Sequence, residues 1–165
     1  MKFSCEKLLL QSAVATASRA VAAKSTIPAL EGVLLQTGNQ LTVSGYNMQT
    51  GIRTTLEADI TEEGALVLPA RLFGEIIRRL PDDVVTFYSD KGMNVQLTCG
   101  DAAYNITALS AEDYPELPEV EDQYSLRIQQ QTLRSMIGET SFAVSADEAR
   151  PIHTGSLFEV TEEGL

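Results

Sequence analysis

The sequence has no tryptophan, only two cysteines and one histidine among its 165 residues, and aromatic residues make up 6% of it. Two cysteines are too few for a disulfide framework and indicate free thiols in a reducing compartment. One histidine, without a CxxC or HxxxH spacing, excludes the common zinc sites. No run of about 18 apolar residues is present, and charged residues interrupt the first apolar run, unlike in a signal peptide. We therefore expect a cytoplasmic protein with an aliphatic core, no membrane span, no metal and no cofactor.

Basic residues are also scarce. The chain has 12 Lys and Arg against 23 Asp and Glu, which gives a formal net charge of −11 and a pI of about 4.4. Proteins that bind nucleic acid through their overall charge are usually basic. The acidic balance therefore disfavours such binding unless one face of the molecule is locally basic. The hydrophobic share of 44% and the charged share of 21% are typical of globular proteins.

Apolar periodicity predicts two similar runs of secondary structure within residues 1–109. The predicted helices span 6–23 and 70–80, and Pro69 at the start of the second is favourable there. The predicted strands are 2–5, 29–37, 41–45, 50–60, 64–68, 84–89, 93–99 and 103–109. The order is β-α-β-β-β twice, which predicts an α+β fold with antiparallel sheets and with the helices packed on one face.

The remaining sequence predicts a linker and the start of a second domain. Residues 110–123 hold six acids and two prolines, and we interpret them as a semi-extended linker. After a shift of 123 residues, 2–36 and 125–159 share nine identities in 35 ungapped positions. The identical pairs are Leu10/Leu133, Ser12/Ser135, Ser18/Ser141, Ala20/Ala143, Val21/Val144, Ala23/Ala146, Pro28/Pro151, Gly32/Gly155 and Leu34/Leu157. We therefore expect a first domain at 1–120, then a linker and an incomplete second domain at 121–165.

The charges are distributed unevenly between helices and the rest of the chain. The predicted helical segments 6–24, 70–80 and 130–142 carry seven of the 12 basic residues but only three of the 23 acids. Those basic residues are Lys7, Arg19, Lys24, Arg71, Arg78, Arg79 and Arg134. One explanation is that Lys and Arg are good helix formers. The other is a helix layer that faces a polyanion and makes a few weak, salt-sensitive phosphate contacts without reading sequence.

Several stretches resemble one protein family. They are KSTIPALEGVLLQ at 24–36, LVLPARLFGEIIRRLPD at 66–82, ALSAEDYPELP at 108–118 and ARPIHTGSLFEV at 149–160. Together they resemble the beta subunit of bacterial DNA polymerase III, the DNA sliding clamp, and the resemblance covers the whole chain. It implies the DNA-clamp fold, with three tandem domains of two β-α-β-β-β halves each. Two such chains form a head-to-tail ring with helices lining the hole and sheets outside.

The resemblance also implies a function. It predicts a non-catalytic processivity factor that encircles duplex DNA without sequence specificity and tethers the replicative polymerase. The third domain and most of the second have no counterpart here, so we expect a fragment that cannot close a ring. For the same reason, we expect the pocket for polymerase and clamp-loader subunits to be largely missing. His153 stands where the family usually has an aliphatic residue.

The family's functional positions transfer to a small set of residues. Lys24 lies in the DNA-facing loop after the first helix, and Arg71 and Arg78 match hole-lining positions on the second helix. Weaker candidates for DNA contact are Arg19, Arg79, Arg134 and Arg150. Arg79 has an alternative role as a partner of Asp82 or Asp83. Tyr104 and Ile106 lie on the strand that meets the other subunit in the family, although the same pattern also fits a strand that faces the core.

Two other functions remain open from the residues alone. An acidic scaffold domain could bind only proteins, through an exposed edge strand. A hydrolase could pair an acid with His153, or Cys5 with His153 as a nucleophile and base. A basic helix layer distinguishes the clamp from the scaffold.

Overall fold

The computed structural model describes residues 1–118, 125–147 and 149–161. The chain divides into two compact units, Met1–Pro118 and Glu119–Leu165. Of the helices in the described residues, none is long and apolar enough to cross a membrane.

The first unit contains ten strands and two α-helices. In chain order they are β1 (Lys2–Glu6), α1 (Lys7–Ala17), β2 (Gly32–Thr37), β3 (Leu41–Tyr46), β4 (Gly51–Leu56), β5 (Asp59–Glu62), β6 (Gly64–Pro69), α2 (Ala70–Arg79), β7 (Val84–Ser89), β8 (Asn94–Cys99), β9 (Ala102–Thr107) and β10 (Leu109–Ser110). Short 3₁₀ turns follow α1 at Ser18–Ala20, precede β2 at Pro28–Glu31 and follow β10 at Ala111–Asp113. The predicted α+β order is confirmed, with the short strands β5 and β10 in addition.

The strands form two antiparallel five-stranded sheets whose membership crosses the two halves. One sheet has the order β5-β1-β7-β8-β9 and the other β10-β6-β2-β3-β4. The first strand of each predicted half therefore lies in the sheet built mainly from the other half. This exchange binds the two β-α-β-β-β halves into one body, because neither sheet is complete without a strand from each.

One aliphatic core joins both sheets and both helices. It contains the inner faces of β1, β7 and β8 together with those of β2, β3 and β6. From the helices it receives Leu10 and Val14 of α1 and Phe73 and Ile77 of α2, all buried. Phe3 and Phe87 stack at its centre with ring centroids 4.6 Å apart. The helices thus cover one side of a core whose other boundaries are sheets, as the sequence predicts.

Four predicted segments have wrong bounds. The first helix ends at Ala17 rather than at 23. At this end the Gly45 backbone in β3 lies so close to the Ala17 carbonyl that a Cβ at position 45 would clash with it. The predicted strand 29–37 begins at Gly32, because Pro28 starts a 3₁₀ turn. The predicted strand 50–60 is two strands, β4 and β5, because the chain leaves one sheet there and joins the other. For the same reason, the predicted strand 103–109 divides between β9 and β10.

The first part of the predicted linker is also different. Residues 111–117 lie on the outer face of the sheet that contains β2, β3 and β6, where Tyr114 is buried and Leu117 packs beside it. Leu117 approaches Gly51 so closely that a Cβ there would lie 3.0 Å from its Cδ2 atom. The acids of this segment stay exposed. The alternation of apolar anchors and solvated acids, rather than net repulsion, determines its conformation; predicted linker residues 119–124 lie outside the described residues.

The second unit repeats the helical segments of the first, but residues 125–129 and 155–160, which correspond to β1 and β2, form no strand. Its helix, α3, spans Gln130–Thr140, and 3₁₀ turns follow at Ser141–Ala143 and Pro151–Thr154. Each of these bounds is offset by 123 residues from its counterpart in the first unit. No residue is buried in the described part of this unit.

Candidate nucleic-acid interface

Helix α1 presents an uncharged surface to solvent. Its Leu10, Val14 and Ala17 face the core at helical spacing. The exposed side carries the small residues Ser12, Ala15 and Thr16 in its middle and no charge there. No Asp or Glu lies within the helix. A polyanion approaching the middle of this side would meet neither a carboxylate of α1 nor a bulky side chain; Leu8 and Leu9 are exposed only in the first turn.

Helix α2 supplies the basic side chains. Phe73 and Ile77, four residues apart, turn inward and leave Arg71, Arg78 and Arg79 exposed. Arg78 and Arg79 lie in the last turn, where the helix dipole stabilises a positive charge. The side chain of Arg71 is 94% exposed and its Nε lies 3.7 Å from Glu75 Oε1.

The two helices pack against each other and leave a groove of about 330 Å³ between them. Its lining includes Gln11 and Ser18 from the α1 side and Arg71, Glu75 and Arg78 from α2. Gln11 Oε1 is buried there and has no hydrogen-bond partner among the described residues. The structure therefore brings the predicted pair Arg71 and Arg78 to one groove.

Lys24 lies beside a second groove. This groove, of about 710 Å³, runs between the 21–32 segment and the start of α2, and its lining includes Ala23, Glu31 and Arg71. Lys24, the residue after Ala23, is exposed. Ser25 N donates a 3.0 Å hydrogen bond to Glu31 Oε1, which ties the loop after Lys24 to the turn that precedes β2.

The remaining predicted contacts of the first unit are less concentrated. Arg19 is exposed in the 3₁₀ turn after α1, and Arg79 is exposed at the end of α2. The alternative role of Arg79 as an ion-pair partner is not realised within the described residues. Asp82 pairs instead with Lys7, and the Asp83 side chain accepts a hydrogen bond from its neighbouring backbone amide.

Lys7 does not belong to the basic surface, although its place in a predicted helix indicates that it does. Its side chain is only 9% exposed, and its Nζ lies 2.7 Å from Asp82 Oδ1. The lysine is occupied in joining the start of α1 to the turn after α2. No local pattern predicts this pair, because its members are 75 residues apart.

The two candidates of the second unit are described within that unit alone. Arg134 is exposed on α3. Arg150 and His153 line a polar pocket of about 350 Å³ together with Ser145 and Asp147. The backbone carbonyl of His153 accepts a 2.9 Å hydrogen bond from Ser145 N, and its amide donates to the carbonyl of Arg150. The main chain of His153 thus helps to close this loop.

Strand β9 forms one edge of its sheet and pairs only with β8. Ile106 is buried in the core and Tyr104 is half-buried against it, while Ala103, Asn105 and Thr107 point outward. The edge therefore offers unpaired backbone groups and part of Tyr104 rather than an exposed apolar stripe.

Nucleophilic chemistry receives no support from the cysteines. Burial raises the pKa of Cys5 to about 12, so its thiol stays protonated at neutral pH. Burial also raises the pKa of Cys99, with the nearby Asp83 carboxylate adding to the shift. In the described part of the chain, no group of three or more His, Cys, Asp or Glu side chains could hold a metal ion.

Two features of the site were not predicted from the sequence. The spacing of Arg71 and Glu75 is the i,i+4 spacing of a helical ion pair, so this contact was visible in the sequence. The position of Gln11 in the groove was not, because it depends on how α1 packs on α2.

The comparisons with known proteins agree with this fold. Residues 1–118 match the family model described as DNA polymerase III beta subunit, N-terminal domain. Among curated proteins, the beta sliding clamp of Synechococcus elongatus is 34% identical, with all of this chain and 45% of that protein covered. The beta sliding clamp of Bacillus subtilis is 32% identical, again over all of this chain and 46% of its own length. The chain thus spans a little under half the length of these relatives.

Solved structures give the same result in three dimensions. A putative DNA polymerase III beta subunit from Eubacterium rectale matches with a TM-score of 0.89 and 33% identity, covering 94% of this chain and 43% of that one. The Bacillus subtilis sliding clamp matches with a TM-score of 0.86 and 30% identity, covering 92% and 42%. The fold, in which two antiparallel sheets exchange strands beside a helix layer, and the sequence both match these proteins. The chain therefore belongs to the DNA polymerase III beta subunit family, the bacterial sliding clamps.

Proposed function

We propose that this chain works as the N-terminal part of a DNA sliding clamp. In this proposal the complete protein is a non-catalytic processivity factor that encircles duplex DNA and tethers the replicative polymerase. The observation that carries it is the pair Arg71 and Arg78 at one groove of an exposed helix layer, on a chain with a net charge of −11. A strongly acidic protein that gathers exposed arginines on one face, beside a helix without acids, is suited to touch a polyanion locally.

The proposed contacts are few and do not read sequence. Lys24, Arg71 and Arg78 would bind phosphates, with Arg19, Arg79, Arg134 and Arg150 as secondary contacts. For each phosphate contact, the logarithm of the affinity falls by about 0.9 when the salt concentration rises tenfold. The exposed middle of α1 carries no aromatic residue, so base stacking contributes nothing there. Such a surface holds DNA weakly and lets it slide, which is what a ring that retains DNA by encirclement requires.

The proposed partners and organisation follow from the family and from the open strand edge. We propose that 1–120 is the first clamp domain and that 121–165 holds a linker and the start of a second. A second clamp subunit would pair with β9 through its backbone groups and Tyr104, with Ile106 supporting the strand from the core. Polymerase and clamp-loader subunits are the further partners that we propose for the complete protein. We place the protein in the cytoplasm.

One titration tests the helix surface. The triple variant Lys24→Ala, Arg71→Ala and Arg78→Ala is compared with a control that removes the same charge from exposed strand and turn positions, Lys2→Ala, Arg53→Ala and Lys91→Ala. Binding to a duplex of about 30 base pairs is measured by fluorescence anisotropy at about 20 mM salt, where phosphate contacts are strongest. We expect the first variant to lose binding and the control to keep most of it. Equal loss in both would contradict a DNA-facing helix layer.

A purely protein-binding scaffold is the second candidate, because β9 is an open edge. It predicts that neither triple variant changes DNA binding. It also predicts that Asn105→Pro, which disrupts hydrogen bonding along β9, abolishes association with a protein partner.

A further inference from the structure

A single acid lies within the two helices of the first unit. Helix α1 has none, and Glu75 is the one acid between Ala70 and Arg79 of α2. Its side chain is 46% exposed and lines the groove between the helices, together with Arg71 and Arg78. A carboxylate inside the groove that holds Arg71 and Arg78 is unexpected on a surface proposed to face DNA phosphates. The other acid near this surface, Glu31, lines the neighbouring groove and accepts a hydrogen bond from Ser25 N.

Helix stability accounts poorly for this carboxylate. Arg71 lies in the first turn of α2, where the helix dipole disfavours a positive charge. Its pair with Glu75 runs from a basic residue to an acid at i+4, which is the weaker of the two orientations. The 3.7 Å distance and the almost fully exposed arginine describe a loose contact. Such pairs contribute little to folding.

We propose that Glu75 attenuates the contact of this surface with the DNA backbone. The inference rests on the proposed function and deepens it. The carboxylate acts in two ways: it competes with a phosphate for the guanidinium of Arg71, and it repels a phosphate that enters the groove beside Arg78. Glu75 thereby keeps the affinity low, as sliding requires, without removing the arginine that guides the duplex.

The substitution Glu75→Gln isolates this effect. Glutamine keeps the length and the helix preference of the side chain but removes its charge. We expect DNA affinity at about 20 mM salt to rise up to about fivefold, the range of an exposed ion pair. Because Arg71 becomes free to bind a phosphate, the slope of log affinity against log salt concentration should become more negative by about 0.9. In an Arg71→Ala background the same change should raise affinity less, since only the repulsion is then removed.

Matched controls separate this role from general charge and from folding. Glu112→Gln makes the same charge change at an exposed site in the 3₁₀ turn after β10, outside the lining of the groove between the helices, and should leave affinity nearly unchanged. Thermal unfolding reports any structural effect, and the Nε–Hε resonance of Arg71 should shift in Glu75→Gln but not in Glu112→Gln.

The outcomes distinguish the attenuation from the function beneath it. If Glu75→Gln binds DNA like the unsubstituted chain while Arg71→Ala binds less, the attenuation is wrong and the helix surface stands. Equal gains from Glu75→Gln and Glu112→Gln would also overturn it, in favour of net charge. A third outcome would contradict both the proposed function and the attenuation. In it, the Glu75→Gln variant and the triple variant of Lys24, Arg71 and Arg78 both bind DNA like the unsubstituted chain.

Discussion

The same local sequence produces the same helical segments in both units, but only one of the units builds a core. Helix α1 spans Lys7–Ala17 and α3 spans Gln130–Thr140, an offset of 123 residues, and the two flanking 3₁₀ turns repeat with the same offset. Yet Leu10 is fully buried whereas its counterpart Leu133 is half-exposed. Leu34 is 8% exposed and its counterpart Leu157 is 90% exposed. Short-range sequence therefore decides where helices begin and end, and partners far along the chain decide what is buried.

The largest difference should appear in resistance to proteolysis. We expect trypsin and Glu-specific protease to cut within 119–161 and to leave 1–118 intact, because burial of the apolar side chains stabilises only the first unit. Each ordered residue costs about 1–2 kcal/mol of backbone entropy, and the described part of the second unit has no buried side chain to offset it. Mass spectrometry of the early fragments identifies the cuts. If both units resisted the proteases for equally long in a dilute solution, this prediction would be contradicted.

Substitution of repeat-related leucines should give the next largest contrast. Leu10→Ala removes a fully buried side chain and should cost about 2–5 kcal/mol of unfolding free energy. Leu133→Ala, at the matching position, should change it by less than about 0.5 kcal/mol. Urea unfolding of the whole chain, followed by circular dichroism, measures both. Similar losses would mean that α3 packs as tightly as α1.

The sequence predicted the elements better than their connections. The order of strands and helices followed from apolar periodicity, and the offset of 123 residues followed from nine identities. The crossing of β1 and β6 between the sheets had no local signal, because strand pairing depends on contacts across the whole unit. The same limit explains the unpredicted docking of Tyr114. The end of α1 is instead local, because α3 ends at the matching Thr140 in a unit whose described part has no buried residue.

The candidate site shows a similar division. The exposure of Arg71 and Arg78 followed from their spacing relative to Phe73 and Ile77. The fate of Lys7 did not, since its partner Asp82 is distant in sequence and close only in the folded unit. Charge counts along helices therefore overestimate the accessible positive charge whenever one cation is buried with an acid.

Alkaline pH should weaken the first unit selectively. Burial raises the pKa of Cys5 from 9.0 to about 12 and that of Tyr114 from 10.0 to about 12. An unfolded chain ionises these groups near their ordinary values, so the folded state loses stability as the pH rises above 9. At about pH 10 the loss from Cys5 alone is on the order of 1 kcal/mol.

Two variants and one control check this pH dependence. Cys5→Ala and Tyr114→Phe should each flatten the decline in unfolding midpoint between about pH 9 and 11, where the linkage operates. Ile128, the counterpart of Cys5, does not titrate, so the second unit has no matching thiol effect. If the unfolding midpoint of both variants declined with pH as steeply as that of the unsubstituted chain, the ionisation of neither group would be linked to unfolding.

The smallest effect concerns the one lysine that the fold removes from the surface. Lys7→Met keeps the length of a side chain that is only 9% exposed but deletes its 2.7 Å contact with Asp82. We expect a loss of about 1 kcal/mol, modest because Asp82 remains largely solvated. Gln130→Met, at the matching exposed position of α3, should have almost no effect, and neither change should alter DNA binding at low salt. Urea unfolding combined with the anisotropy titration measures both properties. If Lys7→Met weakened DNA binding as much as Arg78→Ala, Lys7 would belong to the DNA-facing surface after all.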